Sequence, residues 1–86
     1  MSAAPEPVDV AWARRTAEAC DSAAVRLAEV RRGQAADAAV ATDGWLGPHR
    51  DHFDRELARS LRRSTQVERR LRHLADELRA RATSAL

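Results

Sequence analysis

Small or apolar residues recur at steps of three and four along two long stretches of this chain, and one short glycine-containing segment separates them. That spacing places such residues on one face of an α-helix. The first stretch, Val10 to Ala41, contains no proline, and the second begins at Pro48. Asp43–Gly47, which reads Asp-Gly-Trp-Leu-Gly, lies between them. The pattern predicts an all-α antiparallel hairpin of two helices joined by a short turn.

Local signals set the expected boundaries of the two helices. Asp9 suits the N-cap of the first helix. Pro48 suits the first position of the second helix, and Gly47 precedes it. Pro5 and Pro7 disfavour a helix in the segment before Asp9. We predict a helical hairpin at 9–83, with helix one at 9–42, the turn at 43–47 and helix two at 48–83. A flexible leader at 1–8 precedes the hairpin, and a frayed C-terminus at 84–86 follows it.

The first helix contributes mostly small residues to the expected seam, and the second contributes larger ones. We predict that small side chains of one helix lie opposite large side chains of the other, with Ala17 near Leu74 and Ala24 near Val67. Such alternation fills the space between closely packed helices. In the same register Val30 lies near Ser60. The predicted helical interface comprises Ala13, Ala17, Cys20, Ala24, Leu27, Phe53, Leu57, Leu61, Val67, Leu71, Leu74 and Leu78.

Each helix of such a hairpin buries only one stripe, so other apolar residues stay in contact with water. The apolar flank expected outside the seam includes Val25, Ala28, Leu61 and Ala75. A second hairpin laid against this flank completes a four-helix bundle. We therefore expect the chain to pair with a helical partner.

Composition and residue types argue against catalysis and against a metal site. Cys20 is the only cysteine, so it forms no internal disulfide and is expected to be a small buried hydrophobe. His49 and His52 are spaced i, i+3, but the third histidine, His73, is six turns away, and a tetrahedral site needs about four convergent ligands. No phosphate-binding loop or nucleophile motif is present. We expect no enzymatic activity, no cofactor and no metal.

Charge is the basis of the alternative function. All fifteen cationic residues are Arg, and thirteen acids offset them. The balance is −2 through Asp43 and +4 from Gly44 onward. Arg55, Arg62 and Arg69 repeat every seven residues, and such a row could follow the phosphates of a nucleic acid. Acids at salt-bridge spacing and the lack of interleaved aromatic residues favour a solvated helix face instead.

The turn and the second helix together resemble the WXG family, the early-secretory-antigen-like helical hairpins of type VII secretion systems in actinobacteria and Firmicutes. Trp45-Leu46-Gly47-Pro48 carries the Trp-x-Gly motif, and Phe53 and Leu57 follow it on a heptad. The resemblance covers nearly the whole chain, since it includes the Ala-rich first helix and the amphipathic second helix.

The resemblance implies a small non-enzymatic protein that is made in the cytoplasm and exported folded, without a cleaved signal peptide, by an ATPase-driven machine. Its partner is a second copy, another hairpin protein or the helical domain of a larger substrate. Because the sequence contains no run of about 18 apolar residues, we also expect no membrane insertion. By the same resemblance, Trp45 and Gly47 form part of a composite export signal.

One element of the family pattern is missing from this sequence. The family carries a Tyr-x-x-x-Asp/Glu element after the second helix, and this sequence contains no tyrosine. We expect a partner chain to supply that element if the protein is exported. Two other roles remain open: a dedicated partner that helps to present a larger substrate, and a protein that shares only the fold.

Overall fold

The computed structural model describes residues 9–85, and these residues form two antiparallel α-helices. Helix α1 spans Val10–Ala41 and helix α2 spans Pro48–Ser84. No strand occurs among residues 9–85. The predicted all-α hairpin is therefore confirmed, with both helix boundaries within one residue of the expected positions. The predicted leader at 1–8 and Leu86 lie outside the described residues.

Backbone and side-chain caps explain where the helices begin and end. The Asp9 carboxylate accepts a 2.9 Å hydrogen bond from the Trp12 amide, as the cap prediction requires. Helix α2 begins with Pro48 and has Asp51 in its first turn. A negative charge at this end of a helix interacts favourably with the helix dipole. Its end is closed by the Ala85 amide, which donates to the Arg81 carbonyl at 3.1 Å.

Small side chains from both helices form the buried seam of the hairpin. Leu78 is the one large residue of the buried cluster, and Leu71 and Val10 pack against it from the edge. Small residues at a helix contact let the two backbones approach closely. The buried cluster consists of Ala13, Ala17, Cys20, Ala75, Leu78 and Ala82.

The seam departs from the prediction on both helices. Val67 and Leu74 are 45% and 43% exposed, whereas Ala75, expected beside the seam, is fully buried. On α1, Ala28 is buried and Val30 is 56% exposed. The prediction placed the larger residues of the second helix, Val67 and Leu74 among them, in the seam opposite small residues of the first helix. The close contact of α1 with α2 accommodates alanine better than leucine or valine, so the larger side chains are displaced to its edge.

The register between the helices also differs from the predicted one. The predicted register places Arg31 opposite Ser60, but Arg31 donates hydrogen bonds to Ser64 and Glu68. Asp21 binds Arg79 at 2.6 Å, whereas the predicted register places Asp21 opposite Arg70. Both sets of partners lie at least one helical turn further along α2. Pairing small residues with large ones was therefore the wrong criterion for the register.

The molecule is a thin rod. Its principal extents are 66 × 26 × 12 Å, and its radius of gyration is 19.6 Å. A compact domain of this length has a radius of gyration of about 12 Å. Among the described residues no large side chain is completely buried. The hairpin therefore leaves much apolar surface outside its own seam.

Candidate functional site: the turn and one broad face of the hairpin

Trp45 projects from the end of the rod while remaining in contact with α2. Its ring lies 5.7 Å from the Phe53 ring, centroid to centroid, at a tilt of 47°. Tilted aromatic pairs at this separation are favourable beyond the area that they bury. The side chain is still 40% exposed. Trp45 can thus close the end of the hairpin and also offer an indole surface to a partner.

Two glycines give the turn its shape. Gly44 has φ +72° and Gly47 has φ +107°, and L side chains rarely adopt these conformations. The Gly47 carbonyl accepts a 3.1 Å hydrogen bond from the Asp51 amide, so this glycine also starts the hydrogen-bond ladder of α2. The glycine of the Trp-x-Gly segment is therefore required by the backbone conformation at this position.

Arg50 holds the turn together, and the sequence analysis did not identify this role. Its Nη1 donates to the carbonyl oxygens of Thr42 and Trp45, at 2.6 and 2.9 Å. Its Nε lies 3.0 Å from both carboxylate oxygens of Asp54. The guanidinium thus binds two turn carbonyls that accept no hydrogen bond within a helix. The Thr42 carbonyl also accepts a 3.0 Å hydrogen bond from the Trp45 amide. The only sequence signal was the i, i+4 spacing of Arg50 and Asp54, which equally fits an ordinary surface ion pair.

One broad side of the hairpin carries exposed apolar side chains at intervals along its length. Near the turn it contains an open hollow of about 360 Å³ between the helices. Val67 and Leu74 follow Ser60, a residue of this hollow, by seven and fourteen positions and share its side of α2. The hollow is lined by Gln34, Asp37, Ala38, Ala41, Phe53, Leu57 and Ser60.

Helix α1 continues the same side. Val30 precedes Gln34 of the hollow by four residues, and Trp12 precedes Val30 by eighteen, which is five turns. Both side chains are more than half exposed. Trp12, Leu27, Val30, Val67, Leu74 and the hollow are together called the apolar face below.

The cross-helix ion pairs lie away from the apolar face. Arg31 binds Glu68 in the seam, and Arg72 binds the same carboxylate at 3.1 Å. The guanidinium of Arg31, followed by that of Arg72, holds the pKa of Glu68 below its ordinary value. Asp21 and Arg79 pair at 2.6 Å. These contacts link the two helices and leave the apolar face free of cross-helix ion pairs.

The predicted interface residues separate into three groups. Ala13, Ala17 and Ala24 are fully buried, and Cys20 and Leu78 nearly so. Val67 and Leu74 lie on the apolar face. Leu27, Phe53 and Leu57 are half-buried and also belong to the apolar face. Leu61 and Leu71 remain half-buried at the edges of the seam.

The described residues show no grouping of the kind that holds a metal ion. Within residues 9–85, no three His, Cys, Asp or Glu side chains come together in such a group. Every buried side-chain nitrogen and oxygen of this part of the chain has a hydrogen-bond partner.

Comparison with known proteins adds no relative. No family model, no curated protein and no solved structure matches the chain. Neither of the two helices is long and apolar enough to cross a membrane.

Proposed function

We propose that this protein is a non-enzymatic helical interaction module of a type VII secretion pathway, either an exported substrate or the partner of one. The observation that carries the proposal is the turn. Trp45 is 40% exposed on a backbone that Arg50 and two positive-φ glycines hold in place. An aromatic side chain on a preorganised loop costs little entropy on binding, which suits recognition.

The apolar face supports pairing with a second helical protein. It offers aliphatic side chains from both helices beside a hollow of about 360 Å³. Exposed apolar side chains grouped on one side of a protein mark interaction sites in many proteins. In the proposed function, a helical partner covers this face, and the Trp45 turn at the end of the bundle contributes to a composite signal that the secretion ATPase recognises.

Secretion of a Trp45→Ala variant tests the proposal. In a host that carries a type VII system, we expect the wild-type protein in the medium and the variant retained in the cells with its helical circular dichroism intact. Leu46→Ala is the matched control, because Leu46 is in the same turn and 86% exposed. If Trp45→Ala unfolds the protein and has no separate effect on secretion, the turn is purely structural.

Nucleic-acid binding is the second candidate, and one observation favours it. Arg55, Arg62 and Arg69 form no ion pair with another residue of the described part of the chain, and they lie about 10.5 Å apart along α2. Phosphate contacts by such a row predict an affinity that falls steeply with salt. A gel-mobility assay with double-stranded DNA at two salt concentrations separates this candidate from the first.

A further inference from the structure

Four charged residues follow one another at intervals of seven along α2: Glu56, Arg63, Arg70 and Glu77. They are called the charge row below. Glu56 binds Arg59 at 2.9 Å, and Glu77 lies 3.1 Å from the His73 ring. The two central arginines are exposed and form no ion pair or hydrogen bond with another side chain of the described residues.

The charge row runs directly beside the apolar face. Arg63 lies between Ser60 and Val67 in the helical pattern, and Arg70 lies between Val67 and Leu74. Each arginine is three or four residues from an apolar-face residue on either side, so a helix docked on that face meets both guanidiniums. Seven residues of α-helix separate them by about 10.5 Å.

The charge row has the same sign pattern when it is read in either direction. A second copy that aligns its own charge row with this one therefore places Arg against Arg and Glu against Glu, whether the two helices run parallel or antiparallel. Like charges brought together at an interface cost several kcal/mol and exclude such partners. The row opposes self-pairing in this in-register alignment, and its two central arginines favour a partner with carboxylates at the same interval.

We propose that the apolar face takes an α-helical partner other than a second copy of this chain, whose helix presents two carboxylates seven residues apart to Arg63 and Arg70. This inference rests on the proposed function, in which the hairpin pairs with a helical protein, and it identifies the chemistry of that partner. The 32 residues of α1 extend over about 48 Å, and two helices side by side offer roughly 1,000 Å². One partner in a stable interface buries about 800 Å².

A charge-reversed version of the protein provides the test. The double variant R63E/R70E keeps the apolar face and presents two carboxylates at the required interval. We expect a 1:1 mixture of wild type and R63E/R70E to associate at least ~tenfold more tightly than either protein alone, because opposite charges then face each other. Sedimentation equilibrium measures the masses, and the difference should shrink as salt is added.

The double variant R55E/R62E is the matched control. It makes the same change in net charge at the same seven-residue interval, but on a row turned away from the apolar face. We expect its mixture with wild type to associate no more tightly than wild type alone. Circular dichroism checks that both variants stay helical, since all four arginines are exposed.

Four results would overturn the inference. Wild type could self-associate as tightly as the R63E/R70E mixture, the R55E/R62E mixture could associate equally well, or the R63E/R70E mixture could stay monomeric although both proteins are helical. Binding of wild type to double-stranded DNA at physiological salt, lost in R63E/R70E, would assign these arginines to nucleic acid. Secretion of wild type and of Trp45→Ala is measured independently of these masses, so failure of the export proposal can be distinguished from failure of this one.

Discussion

Gly47 adopts φ +107° and ψ −174° at the N-cap of α2. A Cβ at this position meets no atom within 4 Å, so space does not explain the glycine. The backbone conformation does, because this region of φ and ψ is nearly restricted to glycine. Gly33 differs, since it lies inside α1 with an ordinary helical φ and open space around it.

The two glycines therefore predict opposite effects of the same substitution. Gly47→Ala should lower the free energy of unfolding by about 1–3 kcal/mol through backbone strain. Gly33→Ala should raise it by about 1 kcal/mol, because alanine is the better helix former. Urea unfolding followed by circular dichroism measures both changes. Equal effects of the two substitutions would show that the turn does not require its glycine.

Glu68 predicts a pH dependence of stability. Arg31, and then Arg72, lowers its pKa in the folded state below the ordinary value of 4.5. The contribution of this carboxylate is therefore complete above pH 4.5 and is lost as the pH falls through the lowered pKa. Glu68→Gln should be less stable than wild type near neutral pH, and the difference should vanish in acid.

Urea unfolding at a series of pH values from 7 to 2 measures this difference between wild type and Glu68→Gln. Glu29→Gln is the control, because Glu29 is an exposed acid on α1 without an ion pair in the described residues. A Glu68→Gln deficit that persists unchanged into acid would mean that the ion pair with Arg31 contributes no pH-dependent stability.

At the scale of the elements, the two helices have different roles in the seam. Helix α1 contributes alanines and Cys20, while α2 contributes Leu78 together with its own alanines. Twelve alanines between residues 11 and 41 also give α1 a high intrinsic helix propensity. The close contact of the helices depends on these residues staying small.

Enlarging a seam alanine should therefore destabilise the hairpin. Ala17 is fully buried between the helices, so Ala17→Leu should reduce the free energy of unfolding by about 1–3 kcal/mol through overpacking. Ala36→Leu makes the same change at an exposed position of α1 and should alter stability by no more than about 0.5 kcal/mol. Thermal or urea unfolding compares them. A tolerated Ala17→Leu would contradict the close packing of the seam.

At the scale of the whole molecule, the hairpin is a rod that buries only one stripe of each helix. Its thickness of 12 Å leaves no room for a second layer of side chains. Val30, Val67, Leu74 and Trp12 are therefore at least two-fifths exposed. Shape, more than composition, is what leaves the apolar face available.

Small-angle X-ray scattering tests this shape. The isolated chain at high dilution should have a radius of gyration close to 19.6 Å. A value near 12 Å, typical of a compact domain of this length, would mean that the helices fold back on themselves. Measurement over a dilution series separates the shape of a single chain from association.

The helices and the turn were predictable because their signals are local. Asp9 as N-cap, Pro48 at the start of α2 and glycines at the turn are each recognised within a few residues of sequence. The contacts of Arg50 were not predictable in the same way. They depend on where the Thr42 and Trp45 carbonyls point after the chain has turned, and local spacing carries no information about that direction.

The sequence by itself determined two helices, their ends and a turn with an aromatic residue, because hydrophobic period, caps and backbone preferences act over short distances. Only the tertiary structure decided the register, the burial of Ala75 in place of Leu74, and the single side on which Val67 and Val30 remain exposed. Those features depend on how closely two helices approach. Packing between residues that are far apart in the sequence sets the separation of the helices. The hydrophobic spacing within one helix carries no information about it.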